Sequence, residues 1–126
     1  MFKILVVEDN YINQRVLAAY LKKENISLLI ANNGIEAINF YNNMNFDCIL
    51  MDIAMPEMDG IEATKKIRLK ERWKRKHTPI IAVTASDPEH NRDKFFAAGI
   101  DDYLGKPINE ISLKEKIQKY STVIFD

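Results

Sequence analysis

Short apolar runs alternating with stretches of helical spacing constrain this chain more than any other feature. Four runs rich in β-branched and aliphatic residues recur, at Lys3 to Val7, Ser27 to Ala31, Cys48 to Met51 and Pro79 to Val83, and a weaker fifth lies at Asp101 to Leu104. The first, third and fourth are almost continuously apolar, which predicts strands of a parallel sheet covered on both faces. The second is more polar at its edges and reads as an outer strand. Between them, Val16, Leu17, Tyr20 and Leu21 share one helical face, and Ile35, Ile38 and Tyr41 mark a second helix after "NNG". Ile61, Thr64 and Ile67 define a third. Asp87 and Pro88 read as N-cap and first-turn proline of a fourth, which Gly99 ends in a left-handed cap. Leu113, Ile117 and Tyr120 outline the last.

Strand and helix thus alternate five times without internal repeat or linker. Right-handed crossovers turn such an alternation into an open parallel α/β sheet with helices on both sides. Five strands predict a flavodoxin-like (βα)5 three-layer sandwich of order 2-1-3-4-5. In that order strands one and three are neighbours, and the ligand crevice lies at their carboxyl ends, where the winding direction reverses.

At 126 residues the chain is the size of one domain with one substantial core, expected over 1–126 with its core at about 2–120. Basic and acidic side chains balance at 18 each, so no field steers the chain to a polyanion, and direct nucleic-acid binding is not expected. The lone Cys48 excludes a disulfide framework and fits a reducing compartment. "MFKILVV" is too briefly apolar for a signal segment, and no run approaches the ~18 residues of a membrane span. A soluble, cytoplasmic protein or module without membrane insertion is expected.

The strand ends carry the chemistry. Glu8 and Asp9 follow strand one, Asp52 strand three, Thr84 strand four, and Lys106 comes shortly after strand five. Three carboxylates converging on one crevice raise each other's pKa unless a cation relieves them, and oxygen ligands suit Mg²⁺ far better than zinc. With the Lys106 ammonium and the Thr84 hydroxyl, the set has the parts that stabilise a transferring phosphoryl group, and Asp52 is the natural nucleophile. Taken singly, Asp9 or Asp52 reads equally as a helix N-cap, Thr84 as a strand-end hydroxyl bonded to nearby backbone, and Lys106 as a solvated surface residue.

"ILVVEDNYINQRV", "DCILMDIAMPEMDGIEATKKIR", "PIIAVTA" and "AAGIDDYLGKPI" together resemble the receiver domain of two-component response regulators, in order and across nearly the whole chain. The resemblance implies that Asp52 accepts a phosphoryl group from a histidine kinase or histidine phosphotransfer protein. It implies that Asp9, Asp52 and the backbone carbonyl of Ala54 ligate Mg²⁺, that Glu8 acts through water, and that Thr84 and Lys106 contact the phosphoryl oxygens. Ala85 would leave that group accessible, Tyr103 would be an aromatic switch working with Thr84, and Pro107 would follow a cis peptide bond. The domain would take part in its own phosphorylation and dephosphorylation without being an enzyme. The face formed by the fourth helix, fifth strand and fifth helix would report the switch and could form a homodimer.

Two other functions compete. An aspartyl-nucleophile phosphatase would carry a general acid two residues after the nucleophile, where this chain has Ala54; a pseudo-receiver would bind partners without phosphorylation, yet all the expected site residues are present. Ala54 and Ser86 should line the path of attacking water. Only "STVIFD" follows Tyr120, so the chain reads as a stand-alone regulator or as the receiver of a hybrid sensor kinase. "KKIRLKERWKRKH" holds eight basic side chains against one acid; it reads as a solvated helix end or as a contact for an anionic partner. Trp73 within it is a partner contact or a cover for adjacent apolar surface. His77 and His90 read as surface residues, and Phe95 and Phe96 as core with one ring on the output face.

Overall fold

Each apolar run becomes a strand, and each stretch of helical spacing becomes the helix that carries the chain to the next. The computed structural model describes residues 1–55, 57–85, 89–121 and 125. Its elements are β1 (Phe2–Val7), α1 (Tyr11–Tyr20), β2 (Ile26–Ala31), α2 (Gly34–Asn43), β3 (Cys48–Asp52), α3 (Gly60–Lys74), β4 (Ile80–Thr84), α4 (Arg92–Ala98), β5 (Asp102–Gly105) and α5 (Glu110–Lys119). The strands form one parallel sheet in the order β2-β1-β3-β4-β5, as the alternation predicts. The polar-edged second run is indeed an outer strand. β4 and β5 each lie one residue later than expected, and at the start of both the Asp101 side chain accepts from the Ile80 N–H and from Arg68.

Strand alternation divides the core into two layers. Leu5, Val7, Ile49, Met51, Ile80 and Ala82 point toward α2, α3 and α4, while Ile4, Val6, Cys48, Leu50 and Ile81 point toward α1 and α5. Burial pushes the Cys48 thiol up to about 12, so it packs as an inert small apolar group.

Two helical faces differ from expectation. The buried stripe of α1 runs through Gln14, Leu17 and Leu21, leaving Val16 exposed, and that of α2 runs through Gly34, Ala37 and Tyr41, leaving Ile35 exposed. α4 ends at Gly99 in the left-handed region, φ 106°, as predicted. Its expected cap, Asp87 with Pro88, lies outside the described residues, as do Pro56 and Ser86. Phe95 is buried and Phe96 exposed, dividing the pair between core and surface. No helix among the described residues is long and apolar enough to cross a membrane.

Candidate functional site

Register alone brings the first two carboxylates together. β1 pairs with β3 through Ile4↔Cys48 and Val6↔Leu50; two residues further along, the same pairing puts Glu8 beside Asp52 on one face of the sheet. Asp9 is next in the chain, and one ligating oxygen from each of Glu8, Asp9 and Asp52 lies within 4.8 Å of the others. Glu8 and Asp52 are almost fully buried, whereas Asp9 is exposed.

The structure excludes the cap reading of the two aspartates. The N-cap of α1 is Asn10, whose side chain accepts from the Asn13 N–H, and that of α3 is Asp59, which accepts from the Glu62 N–H. Asp9 and Asp52 cap neither helix. Among the described residues, Asp52 accepts from one backbone donor, the Ala54 N–H, at 3.3 Å from Oδ1. α3 starts close against this point: a Cβ on Gly60 would lie 2.3 Å from the Asp52 carbonyl oxygen. Glycine is therefore required where the loop after Asp52 returns to begin the helix.

Lys106 arrives from the far edge of the sheet. Its Nζ lies 3.2 Å from Asp52 Oδ1 and 3.4 Å from Glu8 Oε1, and its peptide bond to Pro107 is cis. Its backbone N–H donates to the Thr84 carbonyl at 2.8 Å, tying the end of β4 to the lysine. Thr84 is buried as the last residue of β4, and Ala85 beyond it is exposed. Tyr103 lies on β5, its ring 6.4 Å from Phe95 and 6.3 Å from Phe96 between centroids, its hydroxyl donating to Glu89.

One lysine does not balance the pocket. Burial, followed by hydrogen bonding with Glu8 and its charge, pushes Asp52 up to about 7, with Lys106 only partly opposing. Burial would also raise Glu8, but hydrogen bonds with Asp52 and Asn13 and the charge of Lys106 outweigh it, so its pKa is lowered. Burial lowers the Lys106 ammonium less than the two carboxylates raise it, so it stays charged. Written as carboxylates, Glu8 Oε2 and Asp52 Oδ2 are buried and meet no donor among the described residues. A proton on Asp52 relieves this pair, and a divalent cation held among these carboxylates would offset their charge as well.

Residues 4–118 match the family described as "Response regulator receiver domain". The chain belongs to that family. This receiver is 44% identical over 120 residues to Hybrid signal transduction histidine kinase I of Dictyostelium discoideum, covering 91% of the chain but only 7% of the kinase's length. Among solved structures it resembles the receiver domain of the response regulator Ssk1 of Saccharomyces cerevisiae, co-crystallised with the histidine phosphotransfer protein Ypd1. The identity is 37% and the TM-score 0.85, over 94% of this chain and 88% of that one. It also resembles the receiver domain of sensor histidine kinase PA1611 of Pseudomonas aeruginosa PAO1, which holds a magnesium ion in its active-site cleft. There the identity is 36% and the TM-score 0.83, over 94% and 96% of the two chains. The receiver is thus a phosphoacceptor signalling domain of the two-component kind.

The periodicity of α1 conceals one supporting residue. Gln14 is buried, and its Nε2 donates to the Glu8 carbonyl at 2.6 Å and to Asn32 Oδ1 at 2.8 Å, fixing the backbone that presents Glu8. Its signal in the sequence is a polar residue three and seven positions before Leu17 and Leu21, on the stripe that turns inward.

Proposed function

We propose that Asp52 is the phosphoacceptor, with a phosphohistidine of a histidine kinase or phosphotransfer protein as donor. A carboxylate oxygen of Asp52 forms the new O–P bond as the N–P bond breaks. The imidazole leaves with that electron pair, its other ring nitrogen carrying a proton. Lys106, already 3.2 Å from Asp52, follows the charge onto the phosphoryl oxygens, and the Thr84 hydroxyl donates to one of them. Asp9, Asp52 and the Ala54 carbonyl would hold Mg²⁺ directly and Glu8 through water. When bound, the ion neutralises the carboxylates and the phosphoryl oxygens. The observation that carries this reading is the convergence of three carboxylates, two of which have an orphaned buried oxygen and lie beside Lys106.

The donor would approach over α1, where Tyr11, Ile12 and Val16 are exposed apolar residues beside the site. Val16 and Asn13 share a cavity with Lys106, Pro107 and Ile108, and the Ssk1 relative's capture with a phosphotransfer protein supports such a partner. Phosphorylation adds strong acceptors at the sheet end, favouring the conformer in which Thr84 and Tyr103 move toward them. The α4, β5 and α5 face would report that state and is the surface for any homodimer. Ala54 offers no acid to protonate a leaving group, so the domain acts on itself and not as a phosphatase of other molecules. We read residues 1–126 as one receiver unit acting in the cytoplasm, where its donor would be, within a hybrid kinase or a short phosphorelay protein.

Incubation with acetyl phosphate and Mg²⁺ followed by intact-mass measurement tests the assignment. Wild type should gain one phosphoryl group and Asp52→Ala none, while beryllofluoride should shift the Tyr103 resonances. A phosphoryl adduct that persists in Asp52→Ala removes Asp52 as acceptor, and unmoved Tyr103 resonances remove it from the switch.

A further inference from the structure

The outer face of α3 combines apolar exposure with uncompensated positive charge. Its inner residues Ile61, Thr64, Ile67 and Glu71 are buried. Lys65, Leu69, Arg72 and Trp73 follow one another at helical spacing on the opposite side. Leu69 is 58% exposed and Trp73 89%, so the indole covers little of the domain's own surface. Lys65, Leu69 and Arg72 line a groove of about 540 Å³ whose other wall is Ala97 and Ala98 of α4. A second depression, lined by Leu69, Arg72 and Trp73, continues it along the helix.

The cations along this helix fall into two groups. Arg68, at the groove's floor, is neutralised by Glu71 and Asp101, and Lys74 donates to the Tyr41 carbonyl while lying 4.5 Å from the centroid of that ring. Lys65, Lys66, Lys70 and Arg72 form no ion pair among the described residues. An apolar strip with free cations around it matches a ligand of the reverse pattern, apolar at its centre and anionic at its rim.

We propose that this groove docks an acidic segment of a partner protein carrying an aliphatic or aromatic anchor. The anchor lies between Leu69, Ala97 and the Trp73 ring, and flanking carboxylates meet Lys65 and Arg72. The shallow groove between two helices has room for one inserted side chain, which a partner segment can supply. The free cations select carboxylates on that chain. The surface belongs to the layer of α2, α3 and α4, across the sheet from α1. It goes beyond the phosphoacceptor reading, since a donor on α1 leaves it open.

Trp73 is the chain's only tryptophan, so its emission reports this groove directly. The probe is the peptide acetyl-Glu-Glu-Leu-Asp-Glu-Phe-Glu-Asp-amide, titrated into the whole chain beside a control with glutamine and asparagine at every acidic position. The acidic peptide should shift Trp73 emission to the blue and saturate; the neutral one should not. Lys65→Glu combined with Arg72→Glu should weaken binding at least about tenfold, and Leu69→Ser about tenfold, with circular dichroism and Asp52 phosphorylation unchanged. Unmoved emission at millimolar peptide, an equal response to the neutral peptide, or charge reversals without effect would overturn the proposal. So would a shift produced only by vesicles of equal phosphatidylcholine and phosphatidylserine, which would mark a lipid surface. A shift that follows protein concentration alone would mark self-association and overturn it too.

Discussion

At the amino ends of β4 and β5, Glu71 and Asp102 are buried with Asp101 close by, and every one of these carboxylates meets donors. At the carboxyl ends of β1 and β3, Glu8 and Asp52 are buried more deeply, and one oxygen of each meets none among the described residues. Glu71 accepts from Arg68 at 2.6 Å, from the Thr78 N–H at 2.7 Å and from the Tyr41 hydroxyl at 3.0 Å. Asp101 accepts from Arg68 and the Ile80 N–H and contacts His77, while Asp102 accepts from Lys116, Tyr120 and the Tyr103 N–H. Both ends are built on carboxylates and differ in how completely these are answered. A satisfied carboxylate fixes the positions of neighbouring elements, whereas an unsatisfied pair favours whatever brings positive charge.

The satisfied end should fail most when one member is removed. Glu71→Ala leaves a buried tyrosine hydroxyl and the Thr78 N–H without their acceptor and takes one of two carboxylates from Arg68. The expected loss is about 3–5 kcal/mol by urea unfolding at neutral pH. Glu71→Gln, which keeps the shape, should lose about 1–3 kcal/mol and still accept one phosphoryl group from acetyl phosphate. A loss below about 1 kcal/mol for both would mean that the network does not hold the fold. Abolished phosphorylation in folded Glu71→Gln would mean that the two ends are not separate.

At the other end the same kind of removal should have the opposite sign. Asp52→Asn deletes one of two crowded carboxylates, so without metal the protein should gain about 0.5–2 kcal/mol while losing phosphorylation. Mg²⁺ sharpens the contrast. Wild type at a hundredfold excess over its dissociation constant should gain about 2.7 kcal/mol, and the variant far less. Thermal melts with Mg²⁺ and with chelator measure both. A variant less stable than metal-free wild type, or equally stabilised by Mg²⁺, would contradict this account of the pocket.

The two ends also differ in how far the sequence reveals them. Apolar runs give the strands, and the crossover rule converts their order into a crevice, so Glu8, Asp9, Asp52, Thr84 and Lys106 follow from being next to strand ends. Nothing comparable marks Glu71, whose partners Tyr41 and Thr78 depend on helix packing, or Asp101, which meets Arg68 thirty-three residues away in the chain. Gln14 is hidden for a related reason. The apolar residues of α1 lie on two overlapping stripes, and the inward one contains a glutamine that only Asn32 and the Glu8 carbonyl explain. Val16 and Ile35 mislead in the complementary way: both are apolar, both face outward, and Val16 flanks the site.

The smallest expected difference between the two ends concerns acid. Burial alone would raise the pKa of Asp102, but hydrogen bonds from Lys116, the Tyr103 N–H and Tyr120, with the charge of Lys116, lower it overall. A carboxylate whose folded pKa lies below its unfolded value stabilises the fold above the unfolded value, about 4, and that contribution is lost as the pH falls through the folded one. Wild type should therefore lose stability below about pH 4 in part through this residue. Asp102→Asn should be less stable at neutral pH and should lack that part of the acid slope. Lys116 is partly exposed and Lys119, 3.5 Å from Asp102, is exposed, so solvent screening keeps the difference at about 1 kcal/mol or less. Asp52 titrates the other way. Raised to about 7, it opposes folding above its unfolded value near 4, and metal-free wild type gains from its protonation as the pH falls through about 7. Urea unfolding of wild type, Asp102→Asn and Asp52→Asn in chelator, from pH 8 to below pH 4, separates the two slopes. Parallel curves for wild type and Asp52→Asn between neutral pH and pH 5 would mean that Glu8 and Asp52 do not crowd each other as the geometry requires.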